Sequence, residues 1–208
     1  IVGNGARESA LALKLKDDSR ISKLYFAKGT VTTAELGQNV YDESVEGLRD
    51  FAIKERIDLT IVGPEAPLVE GIVDEFKKHG LKIFGPEKRA AELEGSKAFS
   101  KKFMQTNNIK TAKAVVFDAY HDAIEYVRNQ KFPIVIKASG LAGGKGVVIA
   151  DNLTEAESTI HKFMIERIYG DAGFQLVIEE YLKGFEASII AFSNGKKLFP
   201  CIPVKDYK

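Results

Sequence analysis

The chain has 208 residues, of which 45% are hydrophobic, and 30 lysines and arginines stand against 29 aspartates and glutamates. This length allows one or two domains with apolar cores and excludes a generally disordered chain. A formal net charge of +1 excludes a broad electrostatic attraction for nucleic acid or an acidic membrane surface, so any bound anion must be held locally.

The single cysteine and the short apolar stretches indicate a cytoplasmic protein. A single cysteine, Cys201, excludes a disulfide framework, fits a reducing cytoplasm and is expected to pack within a strand. The longest apolar stretches are strand-sized, below the roughly 20 residues that a membrane helix needs. We therefore expect a cytoplasmic protein with no membrane or nucleic-acid partner. Because the chain opens at Ile1 without an initiator methionine, we expect a piece of a longer polypeptide.

Residues 1–85 alternate short apolar runs with helical patterns, which is typical of βαβ units around a parallel sheet. The predicted strands are Ile1–Gly3, Leu24–Ala27, Asp58–Gly63 and Lys82–Phe84. The predicted helices are Ala10–Leu15, Leu48–Ala52 and Val69–Phe76, the last ending near Gly80. The pattern predicts a doubly wound α/β domain. Its ligands are expected outside the carboxyl ends of the strands, at the loops Gly3–Glu8 and Gly63–Glu65.

From residue 85 the pattern changes to helices and then to a compact α+β unit. The predicted helices are Glu87–Leu93, Ser96–Asn107 with Ser96 as N-cap, and one opened by a capping box at Thr154–Glu157 and ending near Arg167. The predicted strands are Pro133–Ala138, Gly146–Ala150 and Gln175–Glu180. A closing hairpin is predicted from Ala187–Ser193 and Lys197–Pro203, joined by the two-residue turn Asn194-Gly195.

The segment from Lys137 to Gly146 carries the strongest chemical signal. It has four glycines in seven positions between two predicted strands: Gly140, Gly143, Gly144 and Gly146, with Lys137 and Lys145 beside them. Glycine backbone N–H groups can approach phosphate oxygens closely, and ammonium groups neutralise them. The spacing differs from a P-loop, because Val147 and a strand follow. A nucleotide triphosphate loop is favoured, and a plain glycine-rich hairpin is the alternative.

The first loop resembles the start of a dinucleotide fingerprint but has Glu8 where the third glycine belongs. A glutamate at the start of the helix would repel a pyrophosphate. We interpret this loop as a polar-substrate site rather than an NAD site. The alternative is a tight βα turn with a solvated Arg7.

A second group of candidates follows the strand that ends at Glu180. Glu179, Glu180, Tyr181 and Leu182 lie at this strand end, and Glu186 comes after a glycine turn. They are interpreted either as the adenine and ribose half of a nucleotide site or as ordinary solvated carboxylates.

The three histidines, His79, His121 and His161, have no partner at metal-ligand spacing and are predicted at the surface. Hydrolytic triads and zinc protease chemistry are therefore not indicated.

Taken together, the motifs resemble the phosphoribosylamine-glycine ligase family of ATP-grasp enzymes along nearly the whole chain. The strings that carry the resemblance are Gly3-Asn4-Gly5 with Arg7-Glu8, Asp58 to Val69, Phe84-Gly85-Pro86, Leu93 to Phe99, Ile136 to Gly146, and Val177 to Leu182. The resemblance implies ATP-dependent ligation of glycine to 5-phosphoribosylamine through glycyl phosphate, in purine biosynthesis. Other ATP-grasp carboxylate-amine ligases, carboxylases and a non-catalytic nucleotide-binding relative stay as alternatives.

The resemblance also implies a fold and a domain division. It implies a pre-ATP-grasp substrate-binding domain over residues 1–95, followed by an incomplete ATP-grasp domain over residues 96–208 with a lid subdomain near residues 113–182. A monomer or a weak homodimer is expected.

The same resemblance assigns residues to two ligands. It implies ATP contacts at Lys97, Lys137, Gly140, Gly143, Gly144, Lys145, Gly146, Glu179, Glu180, Tyr181, Leu182 and Glu186. It implies glycine and phosphoribosylamine contacts at Gly5, Arg7, Glu8, Glu65, Asp206 and Lys208. The cofactor metal, Mg²⁺ or Mn²⁺, has no ligands in this chain, because the family's metal-binding residues are expected past Lys208.

Several positions depart from the family pattern. The first loop has Ala6 and Ser9 where a glycine and a histidine are usual, and Lys28-Gly29-Thr30 replaces Pro-Gly-Asn. The glycine-rich segment has Ser139 where an aspartate is usual. The residues after Pro203 also differ from the usual Gln-Asp-His-Lys-Arg.

Overall fold

The computed structural model describes residues 1–206 of the chain. Lys208, an expected substrate contact, lies outside the described residues. Residues 1–84 contribute five parallel strands: β1 (Val2–Gly3), β2 (Tyr25–Lys28), β3 (Gln38–Val40), β4 (Thr60–Ile61) and β5 (Ile83–Phe84). Strands β1, β2 and β3 form one ladder, β4 pairs with β5, and a parallel bridge between Val2 and Val62 joins the two groups.

Five helices connect these strands: α1 (Ala6–Leu15), α2 (Val31–Ala34), α3 (Val45–Lys54), α4 (Glu65–Glu70) and α5 (Ile72–Lys78). Leu48, Ile72, Val73 and Phe76 pack with Val2 in one buried cluster. Strands alternating with helices around a parallel sheet confirm the predicted doubly wound α/β half.

The prediction of one continuous helix over Val69–Phe76 was wrong. Gly71 divides it into α4 and α5, because Gly71 adopts the left-handed backbone (φ +103°) that only glycine enters readily. The apolar spacing continues across this break, so periodicity alone did not reveal it.

The second half begins with two helices and continues into an antiparallel sheet. Its elements are α6 (Lys88–Gly95), α7 (Lys97–Thr106), β6 (Ala114–Phe117), α8 (Tyr120–Arg128), β7 (Ile134–Ala138), β8 (Val147–Ala150), α9 (Leu153–Met164), a 3₁₀ turn (Gly170–Gly173) and β9 (Leu176–Glu180). The strand order is β6-β9-β7-β8. Helices α8 and α9 pack against this sheet, with Ile136, Ile160 and Phe163 at the centre of the cluster. The glycine-rich segment is the hairpin connection from β7 to β8.

Helix α9 begins two residues earlier than predicted. Asn152, not Thr154, is the N-cap, and its side-chain oxygen accepts a hydrogen bond from Glu155 N at 3.0 Å. The Glu155 carboxylate in turn accepts from Asp151 N at 2.9 Å. Asn152 and Thr154 each precede a glutamate by three positions, so the capping-box motif alone did not show which of the two is the N-cap.

The last four strands are β10 (Glu186–Ser188), β11 (Ala191–Ser193), β12 (Leu198–Pro200) and β13 (Val204–Asp206). β10 pairs with β13 and β11 with β12, both antiparallel. The predicted two-residue turn was wrong, because Ser193 pairs with Leu198 and leaves a four-residue loop. Asn194 Oδ1 accepts from Lys196 N and Lys197 N and so closes that loop. Cys201 is exposed and lies outside these strands, contrary to the expected packed position.

Within residues 1–206, none of the helices combines the length and apolar character needed to cross a lipid bilayer.

Replacement of Ile136 tests the antiparallel core. Ile136 is fully buried in β7, whereas Ile149 in β8 is 51% exposed. We expect Ile136→Ala in the full-length protein to destabilise by about 2–5 kcal/mol, because it leaves a cavity. Ile149→Ala is the matched control and should cost less than about 1 kcal/mol. Thermal unfolding followed by circular dichroism measures both, and equal shifts in Tm would contradict the assigned core.

Candidate active site

Helix α7 begins directly against the end of strand β7. Ser96 is the N-cap, and its Oγ accepts from Phe99 N at 3.2 Å. Ser139 Oγ accepts from Ala98 N at 3.1 Å, and Ser139 O accepts from Lys97 N at 2.8 Å. The first three N–H groups of the helix are therefore satisfied, two of them by one residue of the β7–β8 connection. This junction fixes the glycine-rich hairpin relative to α7.

Three lysines and one glutamate converge beside this junction. Lys97 and Lys101 lie one turn apart on α7, while Lys137 comes from β7 and Glu179 from β9. Glu179 Oε1 lies 3.2 Å from Lys101 Nζ, and Glu179 Oε2 lies 2.9 Å from Lys137 Nζ. In the antiparallel pair of β7 and β9, Lys137 lies opposite Val177, which is two residues from Glu179. Lys137 and Glu179 are therefore diagonal neighbours on the same face of the sheet. The cluster carries three positive charges and one negative charge.

Lys97 has lost part of its hydration. Burial is the largest cause that lowers the pKa of the Lys97 ammonium, the nearby Lys137 charge lowers it further, and Glu94 acts in the opposite direction. Lys97 Nζ donates to Gly140 O at 3.1 Å. A desolvated ammonium beside a second cation favours the arrival of an anion, which would restore the lost stabilisation.

The glycines of the β7–β8 hairpin have two different roles. Gly140 N donates to Ala172 O at 3.0 Å, and a Cβ on Gly140 would lie 2.7 Å from Ala172 Cα, so this close approach requires glycine. Gly143 and Gly144 have φ values of +57° and +77° and lie at the exposed tip, with open space around them. Lys145 is exposed next to this tip. The base of the hairpin is therefore packed, and its tip is surrounded by solvent.

A cleft of about 490 Å³ lies over the lysine cluster. It is lined by Leu93, Glu94, Lys97, Ser100, Lys101, Met104, Thr111, Ala112, Lys137, Glu179 and Leu182. This volume lies within the roughly 300–1,000 Å³ typical of small-molecule sites. Apolar walls and a cationic floor suit a ligand with a flat apolar part and an anionic part.

The predicted strand-end residues divide between two cavities. Glu179 and Leu182 line the cleft, and Glu179 also lines a second cavity of about 570 Å³ together with Glu180 and Tyr181. Glu180 is tied to the neighbouring strand segment, because Glu180 Oε1 accepts from Lys113 N at 2.8 Å. Glu186 lies in β10, opposite Asp206 in the pair with β13.

The amino-terminal candidates come together at the carboxyl ends of β1 and β4. Arg7 Nη1 donates to Gly63 O at 2.6 Å, and Glu8 Oε2 accepts from Gly5 N at 2.5 Å. Glu8 is buried, and its side chain fills the space that a Cβ on Gly3 or Gly63 would need. Glu65 opens α4 immediately after this loop. The Glu8 side chain thus fills the space between the two loops, and the use of this loop as a polar-substrate site stays a prediction.

Sequence reasoning missed Lys101 and the capping role of Ser139. Lys101 follows Lys97 by four residues, and charged residues at this spacing are usual on the solvent-exposed face of a helix. The sequence therefore carried no signal that Lys101 is buried. The three histidines are exposed, as predicted. Within the part of the chain that the structure describes, no group of three or more His, Cys, Asp or Glu residues could hold a metal ion.

A doubly wound domain followed by an antiparallel sheet, a glycine-rich hairpin and convergent lysines defines an ATP-grasp protein. Two family models match the chain: the phosphoribosylglycinamide synthetase N domain over residues 1–94 and the ATP-grasp (A) domain of the same synthetase over residues 95–208. The chain belongs to the phosphoribosylglycinamide synthetase family.

Curated relatives agree with this assignment. The phosphoribosylamine–glycine ligase of Clostridium acetobutylicum is 50% identical over 210 residues, and that of Escherichia coli is 47% identical over 212 residues. Each alignment covers all of this chain, and the chain spans about half the length of these relatives (50% and 49%).

Solved structures agree as well. The phosphoribosylamine–glycine ligase of Thermotoga maritima matches all of this chain and 49% of its own, with a TM-score of 0.77 and 29% identity. The N5-carboxyaminoimidazole synthetase of Staphylococcus aureus, solved in complex with ADP, matches with a TM-score of 0.75 at 13% identity and covers 54% of that chain. The second likeness concerns the fold alone.

Replacement of Ser139 tests the junction between α7 and β7. Ser139 is 4% exposed, so Ser139→Ala leaves Ala98 N without its acceptor, at a cost of about 1–3 kcal/mol. Ser139→Asp keeps an acceptor at the helix start and should retain stability. Ser158, exposed on α9, provides the control Ser158→Ala. Thermal unfolding of the full-length variants measures the effect, and a Ser139→Ala protein as stable as the control would contradict this junction.

Proposed function

We propose that the full-length protein catalyses ATP-dependent ligation of glycine to 5-phosphoribosylamine, giving glycinamide ribonucleotide, ADP and phosphate. The observation that carries this proposal is the convergence of Lys97 and Lys137 beneath the glycine-rich hairpin, in a chain that matches both domains of the synthetase family. The curated relatives, named phosphoribosylamine–glycine ligases, support the same substrate pair.

The reaction proceeds in two transfers. A carboxylate oxygen of glycine attacks the γ-phosphorus of ATP, the bond to the β-phosphate oxygen breaks, and glycyl phosphate and ADP form. The amine of 5-phosphoribosylamine then attacks the glycyl carbonyl, the bond to the phosphate oxygen breaks, and the amine releases a proton. Both steps move negative charge among oxygens, which positioned cations stabilise.

Within this scheme the lysines bind and orient the triphosphate. The ammonium groups of Lys97 and Lys137 neutralise phosphate oxygens, and the backbone N–H groups of Gly143 and Gly144 approach them from the hairpin tip. The tip, with Lys145, closes over the phosphates and excludes water that would hydrolyse the acyl phosphate. Two observations support this movement: the tip is exposed, while Gly140 at its base is packed against Ala172.

The remaining predicted contacts complete the proposal. The adenine packs against the strand-end residues, with Leu182 on the wall of the cleft, and Glu186 accepts from the ribose hydroxyls. Glycine and phosphoribosylamine are held on the amino-terminal side by Gly5, Arg7, Glu8 and Glu65, together with Asp206. The approach of Arg7 to the loop before Glu65 supports this grouping.

The domain division at residues 95 and 96, with a lid near residues 113–182, is part of the same proposal. The change from parallel to antiparallel sheet and the N-cap at Ser96 support it. The expected monomer or weak homodimer stays a prediction.

The charges of the cleft suit the phosphates of ATP. The floor of the cleft presents ammonium groups, and residues 1–206 contain no cluster of metal-ligating side chains. Mg²⁺ is held by carboxylates and substrate phosphates together. The expectation that the ligands of Mg²⁺ or Mn²⁺ lie past Lys208 stays a prediction.

Substrate dependence tests the proposed activity. Full-length protein should form ADP from ATP only when glycine and 5-phosphoribosylamine are both present, because each transfer needs its own acceptor. A coupled ADP assay and incorporation of labelled glycine measure this dependence. ADP formation driven equally well by bicarbonate or formate would contradict the proposal and favour another ATP-grasp ligase or carboxylase. Absence of both turnover and ATP binding in the intact protein would favour a non-catalytic relative.

Replacement of Lys137 tests the phosphate contact. Lys137→Met in the full-length protein removes a cation from the floor of the cleft and should lower kcat/KM for ATP by at least about 100-fold. The control is His161→Ala, because His161 is exposed, its ring Nδ1 lies 3.0 Å from the Glu166 carboxylate, and it does not line the cleft. Steady-state kinetics measure kcat/KM for both variants. Comparable losses in the two would show that ATP does not bind at Lys137.

A further inference from the structure

The carboxylate of Glu179 is held between two lysines that differ in burial. The side chain of Glu179 is 6% exposed and that of Lys101 is 8% exposed, whereas Lys137 is 27% exposed. Glu179 and Lys101 therefore form a buried ion pair, and Lys137 lies between this pair and solvent. A buried carboxylate without a partner is strongly destabilising, so Glu179 must remain paired.

The ammonium group of Lys101 is surrounded by oxygen atoms of the protein itself. It carries three N–H bonds. Lys101 Nζ donates hydrogen bonds to Thr111 Oγ1 at 2.5 Å and to Ala112 O at 3.2 Å, and Glu179 Oε1 lies 3.2 Å away as its charge partner. Lys101 lines the cleft, but its charge is directed to the protein itself.

Lys137 is in the opposite situation. Within residues 1–206, Lys137 Nζ forms an ion pair with Glu179 Oε2 at 2.9 Å. Because the Lys137 side chain is 27% exposed, its N–H groups remain accessible to an incoming phosphate. Lys101 and Lys137 share the single negative charge of Glu179, so these three side chains together carry one net positive charge, in addition to that of Lys97.

We propose that Lys101 is a positioning residue that holds and neutralises Glu179, so that the positive charge of Lys137 remains available to the phosphates of ATP. Without Lys101, the carboxylate has only Lys137 as its charge partner, and the pair becomes neutral. Lys97 and Lys101 lie on one face of the helix but contact different elements. Lys97 contacts the hairpin at Gly140, and Lys101 contacts Glu179 of β9. This inference rests on the ATP site of the proposed function, but not on the identity of the acceptor substrates.

The test uses Lys101→Met, Glu179→Gln and the double variant in the full-length protein. Lys101→Met should raise KM and Kd for ATP by at least about tenfold, with a smaller change in kcat. The double variant should bind ATP about as tightly as Glu179→Gln alone, because the negative charge that competes for Lys137 is gone from both. Calorimetry with magnesium ATP gives Kd independently of turnover, so a wrong acceptor substrate would not alter this result.

The comparison remains decisive even if Lys101→Met does not fold. In the Glu179→Gln background, adding Lys101→Met should change Kd for ATP by less than about threefold, since no carboxylate is left to neutralise. A tenfold loss in that background would show that Lys101 binds ATP itself and would overturn the proposal. A lower Tm with unchanged Kd in Lys101→Met would assign it a purely structural role. Lys102→Met, on the exposed face of the same helix, is the control and should match the unmodified protein.

Discussion

The contact on which the site depends is the one between the start of helix α7 and the end of strand β7. Ser139 supplies acceptors for two N–H groups of the helix, and Ser96 supplies the third. A helix start that is buried without acceptors would be costly, so this junction holds the two elements in one geometry. It places the lysines of α7 over the antiparallel sheet, and it anchors the glycine-rich hairpin at its base.

The electrostatics of the cleft follow from this geometry. The chain as a whole is nearly neutral, with a formal net charge of +1, yet three of its lysines lie together. Buried like charges require compensation, and Glu179 provides it from the neighbouring strand. Burial lowers the pKa of the Lys97 ammonium, and the nearby charge of Lys137 lowers it further while Glu94 acts in the opposite direction. A locally concentrated charge within a neutral surface favours a small polyanion over an extended one such as nucleic acid.

The sequence predicted much of this architecture where local chemistry and global fold agreed. Ser96 is an N-cap by type and position, and the glycine-rich segment joins two strands as its composition indicated. Features decided by tertiary packing were not predictable. Strand β3 is short and polar, Gly71 breaks a helix whose apolar spacing continues, and Lys101 is buried by a strand that lies 78 residues further along the chain. No local pattern distinguishes a lysine paired by a distant glutamate from a lysine in water.

The most direct measurement is a crystal structure of the full-length protein with a non-hydrolysable ATP analogue. Lys97 and Lys137 should each place Nζ about 2.7–2.9 Å from a phosphate oxygen, with Lys101 still held by Glu179. The adenine should lie in the same cleft, against Leu182. A triphosphate bound instead in the cavity beside Lys113, Lys131 and Lys183, or bonded to Lys101 in place of Lys137, would contradict the site described above.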